Sequence, residues 1–222
     1  MEKLPKINII YEDNHLLVVE KQVNIPVCED ESKDLDLLTI LKKYLKEKYN
    51  KPGNVYLGLV HRLDRPVGGI MVFAKTSKAA SRLSNEIREN NFKKTYLAVV
   101  ENKIKDHDTL VDYLTKDSKT NKVSVTNEKE GKLSILDYTV IDKKDNLSLV
   151  EINLKTGRSH QIRVQFSSRN NPLYGDQKYN KNAKKDTQIA LFAYKISFIH
   201  PTTKEPLTFT LPLPKRYPFN LF

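Results

Sequence analysis

The stretch "LSILDYTVIDKKDNLSLVEINLKT", residues 133–156, holds two runs rich in Leu, Ile, Val, Tyr and Thr on either side of the polar quartet Lys143-Lys144-Asp145-Asn146. β-branched and aromatic residues suit a pleated surface, and a short charged interruption carrying Asp-Asn is turn chemistry, so a long β-hairpin is predicted. A hairpin of this length needs a sheet to join. It makes antiparallel pairing the first expectation for the fold.

Toward the N-terminus, "KKTYLAVV" (93–100) reads as another strand. Before it, "KAASRLSNEIREN" (78–90) reads as a helix capped by Thr76 or Ser77, with Ala80, Leu83 and Ile87 facing inward. "GIMVFAKT" (69–76) is a buried strand by its apolar content, and "VYLGLV" (55–60) is strand-like after the break "KPGN" (51–54). "DLLTILKKYLKEKY" (36–49) sets Leu37, Ile40, Leu41, Tyr44, Leu45 and Lys48 on one stripe at helical spacing. "INIIYEDNHLLVVEKQ" (7–22) predicts two short strands joined at Asp13 and Asn14. The segment 101–132, with "TKDSKTNK" and "NEKEGK", is polar and reads as irregular, mobile loops.

Toward the C-terminus, "GRSHQIRVQF" (157–166) supplies a glycine, a possible cap at Ser159 and a short helix. "QIALFAYKISFIHP" (188–201) and "PLTFTLPLP" (206–214) have strand character, and Pro212 and Pro214 favour an extended tail. Many strands, few helices and no regular alternation of the two predict an α+β fold with a largely antiparallel central sheet flanked by helices and loops. One domain over residues 1–222 is expected.

Lys and Arg total 38 against 27 Asp and Glu, a formal charge of +11, which favours polyanionic partners such as RNA or DNA. A solubilising lysine surface is the alternative. Cys28 is the only cysteine, so an intrachain disulfide is excluded. "MEKLPKINII" lacks the apolar core of a signal peptide, and no apolar run approaches the roughly 20 residues of a membrane helix. A cytoplasmic protein with no membrane association is expected. The histidines at 15, 61, 107, 160 and 200 show no metal-ligand spacing, and dinucleotide, P-loop and GxSxG motifs are absent.

Three segments carry candidate chemistry. In "HRLDRPVGG" (61–69), Asp64 stands between Arg62 and Arg65, ahead of Pro66, Gly68 and Gly69, which suits either a salt-bridged turn or a displayed nucleophile. In "KTGRSHQIRVQ" (155–165), Arg158, His160 and Arg163 lie near a helix start and suit an anion. Tyr96 of "KKTYLAVV" is either a core residue or a platform on which a base stacks. An Asp that acts as a nucleophile benefits from a guanidinium that keeps it ionised, and Arg163 is the candidate.

Together these segments resemble the RluA-type RNA pseudouridine synthases. "HRLDRPVGG" is similar to that family's HRLD motif, "KKTYLAVV" to KxYxAxV, and "KTGRSHQIRVQ" to TGRxHQIRxH. The likeness extends to "IIYEDNHLLVVEKQVNIPV" (9–27), "NPLYGDQKY" (171–179) and "FIHP" (198–201). It implies the pseudouridine synthase catalytic fold, a site in a cleft across a mixed sheet, and no metal or other cofactor.

By the same resemblance, Asp64 is the catalytic aspartate, Tyr96 the active-site tyrosine and Arg163 the arginine that pairs with Asp64. Arg62, Arg158, His160 and Leu191 are implied in substrate or RNA binding. The substrate is implied to be a uridine in structured rRNA or tRNA, flipped out of its stack before Asp64 attacks. The chain is expected to act as a monomer, starting at the catalytic domain without an S4-like domain before it. Three positions depart from the family pattern: Val67-Gly68-Gly69 replaces Thr-Ser-Gly, and Gln165 and Phe192 each stand where a histidine is usual. A catalytically silent RNA-binding protein on the same fold is the competing reading, with a general DNA-binding protein behind it.

Overall fold

A computed structural model describes residue 5 and residues 7–222. The start of "MEKLPKINII", on which the signal-peptide reading falls, lies mostly outside the described residues. The chain gathers into two compact units, residues 1–92 with 195–211 and residues 93–194 with 212–222.

In the first unit, β1 (Asn8–Glu12), β2 (Leu16–Lys21) and β4 (Gly68–Ala74) pair antiparallel in that order, and the short β3 (Gly58–Leu59) also pairs with β4. All seven residues of β4 and Leu16–Val19 of β2 are buried, which is why both stretches read as continuous apolar runs. The expected turn at Asp13-Asn14 is held by Asp13 Oδ1, which accepts from the backbone N–H of His15 at 2.7 Å and of Leu16 at 2.6 Å. His200 Nδ1 accepts from the N–H groups of Thr202 and Thr203, so its Nε2 donates to Asp13 Oδ2 at 2.9 Å. The "FIHP" histidine thus ties a turn.

Helix α1 (Leu37–Lys48) starts where Asp36 accepts from Thr39 N–H and buries Leu37, Ile40, Leu41 and Leu45, as the stripe predicts. Helix α2 (Ser77–Arg88) is capped by Thr76, whose hydroxyl accepts from Ala79 N–H. Its buried residues are Ala79 and Leu83, so the inward face is rotated by one residue from the Ala80 expectation at its start.

The second unit is a run of antiparallel strands: β5 (Lys93–Glu101), β9 (Leu147–Leu154), β8 (Lys132–Lys144), β6 (His107–Asp117) and β7 (Lys122–Thr126). β8 and β9 are the predicted hairpin, with Asp145 in the left-handed conformation at its turn. The loop reading of 101–132 is wrong: β6 and β7 form a hairpin of their own. Its buried residues, Leu110, Leu114 and Val123, are too sparse among lysines and threonines to mark a strand by periodicity.

Helix α3 (Gln161–Ser167) follows β9. Ser159 does not cap it. His160 occupies the cap position in a left-handed conformation, its side chain making no capping bond, and Gln161 Oε1 takes the Arg158 N–H at 3.0 Å and the Thr156 hydroxyl at 2.8 Å. The strand β10 (Leu191–Ile199) contributes residues 191–194 here and residues 195–199 to the first unit, where they pair with β11 (Pro206–Thr210). Every strand pair described within the two units is antiparallel, and the whole is a mixed, largely antiparallel α+β protein with few helices.

Candidate active site

Asp64 lies on the bend that enters β4. Its carbonyl accepts from Val67 N–H at 2.9 Å, closing a turn around Arg65 and Pro66, and its side chain is half-buried. The bend is pinned from below by Lys21, the last residue of β2, which is 1% exposed. The Lys21 ammonium donates to three carbonyls: Val67 at 2.7 Å, Arg65 at 2.9 Å and Gln22 at 3.1 Å. Burial pushes its pKa down to about 7, opposed by the Asp64 carboxylate and aided by the Arg65 charge. A Cβ on Gly68 would press on the Lys21 carbonyl oxygen at 3.1 Å, and Gly69 has φ +124°, a conformation that side chains rarely adopt.

The two arginines beside Asp64 part company. Arg65 turns to the 30–34 loop, pairing with Asp34 and bonding Ser32 Oγ at 2.9 Å, with Asp30 at 3.9 Å. Arg62 is exposed and pairs with no carboxylate among the described residues. His61 accepts the Val72 N–H on Nε2 at 3.1 Å, fastening the start of the bend to the strand.

In the second unit, Tyr96 is buried in β5 opposite Ile152 of β9. Lys94 lies two residues earlier on the same face, half-buried, with its pKa lowered by desolvation. Gly157 leaves room for that ammonium, which would be 3.1 Å from a Cβ there. Leu191 is buried at the start of β10. Arg158 is exposed, anchored through Nε to the Leu133 carbonyl at 3.0 Å. It lines a cleft of about 470 Å³ with Lys116, Lys132 and Ser159.

Arg163 sits in α3 and forms a buried, bidentate ion pair with Asp176: Nε to Oδ2 at 2.8 Å and Nη2 to Oδ1 at 2.7 Å. Its guanidinium lies 5.1 Å from the centre of the Tyr179 ring. The Tyr179 hydroxyl accepts from Val123 N–H at 2.9 Å and lies 2.6 Å from His160 Nδ1. His160 and Arg163 are therefore gathered around one tyrosine.

Lys21, Asp176 and Tyr179 escape the reading of residue types. Lys21 looks like the polar end of the strand "LLVVEK", where a lysine is ordinarily exposed. Asp176 and Tyr179 fall within "NPLYGDQKY", where a glycine before an aspartate marks a special turn. Among the described residues no cluster of three His, Cys, Asp or Glu side chains is arranged to hold a metal, and no helix is long and apolar enough to cross a membrane.

The family described as RNA pseudouridylate synthase matches residues 15–168, a span that includes Asp64, Tyr96, Arg158, His160 and Arg163. A protein of Bacillus subtilis (strain 168), named as the uncharacterized RNA pseudouridine synthase YhcT, is 31% identical over 211 residues, covering 94% of this chain and 69% of that protein. The protein named ribosomal large subunit pseudouridine synthase D of Zymomonas mobilis is 31% identical over 225 residues, covering 94% and 70%. The solved structure of human RNA pseudouridylate synthase domain containing 4 superposes with a TM-score of 0.80 at 21% identity, covering 96% of this chain and 91% of its own, and shares the fold. By a match that spans most of its length and by relatives above 30% identity, this chain belongs to the RNA pseudouridylate synthase family and is by that membership an isomerase.

Proposed function

We propose that this enzyme converts a specific uridine of structured rRNA or tRNA to pseudouridine with Asp64 as the nucleophile. The observation that carries the reading is the setting of Asp64: a carboxylate on a turn fixed by a buried lysine, with its neighbour Arg65 paired elsewhere. Such an acid is held in place by its own backbone turn, and Arg65, turned to the 30–34 loop, leaves the orienting role to another guanidinium.

The uridine is flipped from its stack at a cost of a few kcal/mol, and exposed Arg62 enters the space it leaves. Asp64 attacks either ribose C1′ or the uracil ring, and the bond from N1 to C1′ breaks. The base turns and rejoins the ribose through C5; the C5 proton leaves and N1 ends protonated, so the reaction is an isomerisation without redox change. Tyr96 stacks on the base and assists loss of the C5 proton. Arg163 orients Asp64, while Arg158, His160 and Leu191 line the substrate's approach. No cofactor takes part, and the enzyme works as a single-domain, cytoplasmic monomer.

The test is a pseudouridine map of rRNA and tRNA from cells carrying the wild-type gene or Asp64→Ala. The expected result is loss of one or a few defined sites with RNA binding retained. An unchanged map together with an unchanged phenotype would sink the proposal and favour a catalytically silent RNA-binding protein.

A further inference from the structure

We infer that Asp176 is a positioning residue for Arg163, setting the plane and reach of the guanidinium that orients Asp64; this rests on the reading above. A guanidinium on an arginine stem has several rotatable bonds. Two parallel hydrogen bonds to the two oxygens of one carboxylate fix both its plane and its rotation in that plane. Arg163 has that arrangement with Asp176, through Nε at 2.8 Å and Nη2 at 2.7 Å. The Tyr179 ring at 5.1 Å restrains it out of plane.

Asp176 is itself held. Its side chain is 0% exposed, and Oδ1 accepts the backbone N–H of Lys178 at 3.0 Å and of Tyr179 at 3.2 Å in addition to Arg163. Its own N–H donates to the Leu173 carbonyl at 3.2 Å, and its carbonyl accepts from Asn180 N–H at 2.9 Å. Gly175 before it has φ +71°, and a Cβ there would stand 2.5 Å from the Gln188 carbonyl oxygen, so the turn that presents Asp176 is closed on a glycine that no larger residue replaces without strain. The carboxylate is enclosed and occupied on both oxygens, which suits it to hold another side chain and not to meet substrate. Misplacement of a reacting group by about 1 Å can cost about 100-fold in rate, so the anchor of an orienting arginine has leverage.

Asp176→Asn sets an amide N–H against Arg163 Nε–H, or leaves only one acceptor where there were two, and frees the guanidinium to turn. With RNA carrying tritium at uridine C5, transcribed from the rRNA and tRNA genes whose sites are lost in Asp64→Ala cells, tritium release measures turnover. Asp176→Asn is expected to lower kcat by about 10- to 100-fold with KM within about threefold. On an Arg163→Ala background the same change is expected to lower kcat by less than about twofold, because residues acting through one group are not additive.

Both variants are assayed at a temperature where circular dichroism shows them folded, since removing one partner of a buried pair destabilises. If Asp176→Asn does not fold, Asp176→Glu, which keeps the charge but moves it, is carried through the same cycle. An unchanged kcat in a folded variant, or an equal loss with and without Arg163, overturns the inference. A wild-type protein that releases no tritium overturns instead the pseudouridine synthase reading beneath it.

Discussion

At the scale of single residues, Lys21 shows how a charge in an apolar setting can serve geometry. Its ammonium donates to the Gln22 carbonyl at the end of β2 and to the Arg65 and Val67 carbonyls of the bend that carries Asp64, and the Arg65 carbonyl has one other donor, Asn24 N–H at 2.9 Å. Lys21→Met keeps the stem's volume and removes the donors. Leaving buried carbonyls unsatisfied costs about 1–3 kcal/mol each, and we expect a loss of about 2–4 kcal/mol in urea unfolding, with a lower kcat from a looser bend. A variant as stable as the wild type would show that water replaces the ammonium. At this scale the sequence shows Asp64, Tyr96 and Arg163 because their motifs resemble known ones. It hides Lys21 and Asp176, because what singles them out is their complete enclosure, created by chain segments up to 46 residues away.

At the scale of elements, β1 and α1 are joined by Glu12. Its carboxylate takes the ammonium groups of Lys48 and Lys75 at 2.8 Å each, and the hydroxyls of Tyr44 and Tyr49 at 2.9 and 2.7 Å. Burial pushes the Glu12 pKa up, but these four donors outweigh it and bring it down to about 2. A carboxyl depressed in the folded state contributes stability in full above its unfolded value near 4.5, and that contribution fades as pH falls toward 2. Lys48 is half-exposed, so screening reduces the effect to on the order of 2 kcal/mol. Thermal melts of wild type and Glu12→Gln should therefore differ most at pH 6–7 and converge as pH falls toward 2; a constant gap would exclude this carboxylate as the cause. The stripe of α1 is legible in sequence, including Tyr44 and Lys48, but their shared acid across the turn is not.

At the scale of the whole molecule, the +11 charge supplies a long-range attraction for RNA that salt weakens. The slope of log affinity against log salt should be about −0.7 to −0.9 per phosphate neutralised. Arg158→Ala, on the cleft with Lys116 and Lys132, is expected to reduce that slope by about one phosphate. An unchanged slope in filter binding from 50 to 200 mM salt, a range over which such contacts are resolved, would remove Arg158 from the phosphate contacts. The strand inventory is legible where apolar runs are dense, as in β2, β4, β8 and β9. It fails over 101–132, where a hairpin is built on three buried side chains in a lysine-rich setting. That composition has a further effect. Among the described residues β7 pairs only with β6, so its outer side could recruit a strand from another molecule, yet Val123 N–H is already given to Tyr179, and Lys119 and Lys122 set positive charges at the turn. A second chain approaching in register would have to bury those ammonium groups, so the lysines that disguise this hairpin in the sequence also guard the protein against polymerising through it.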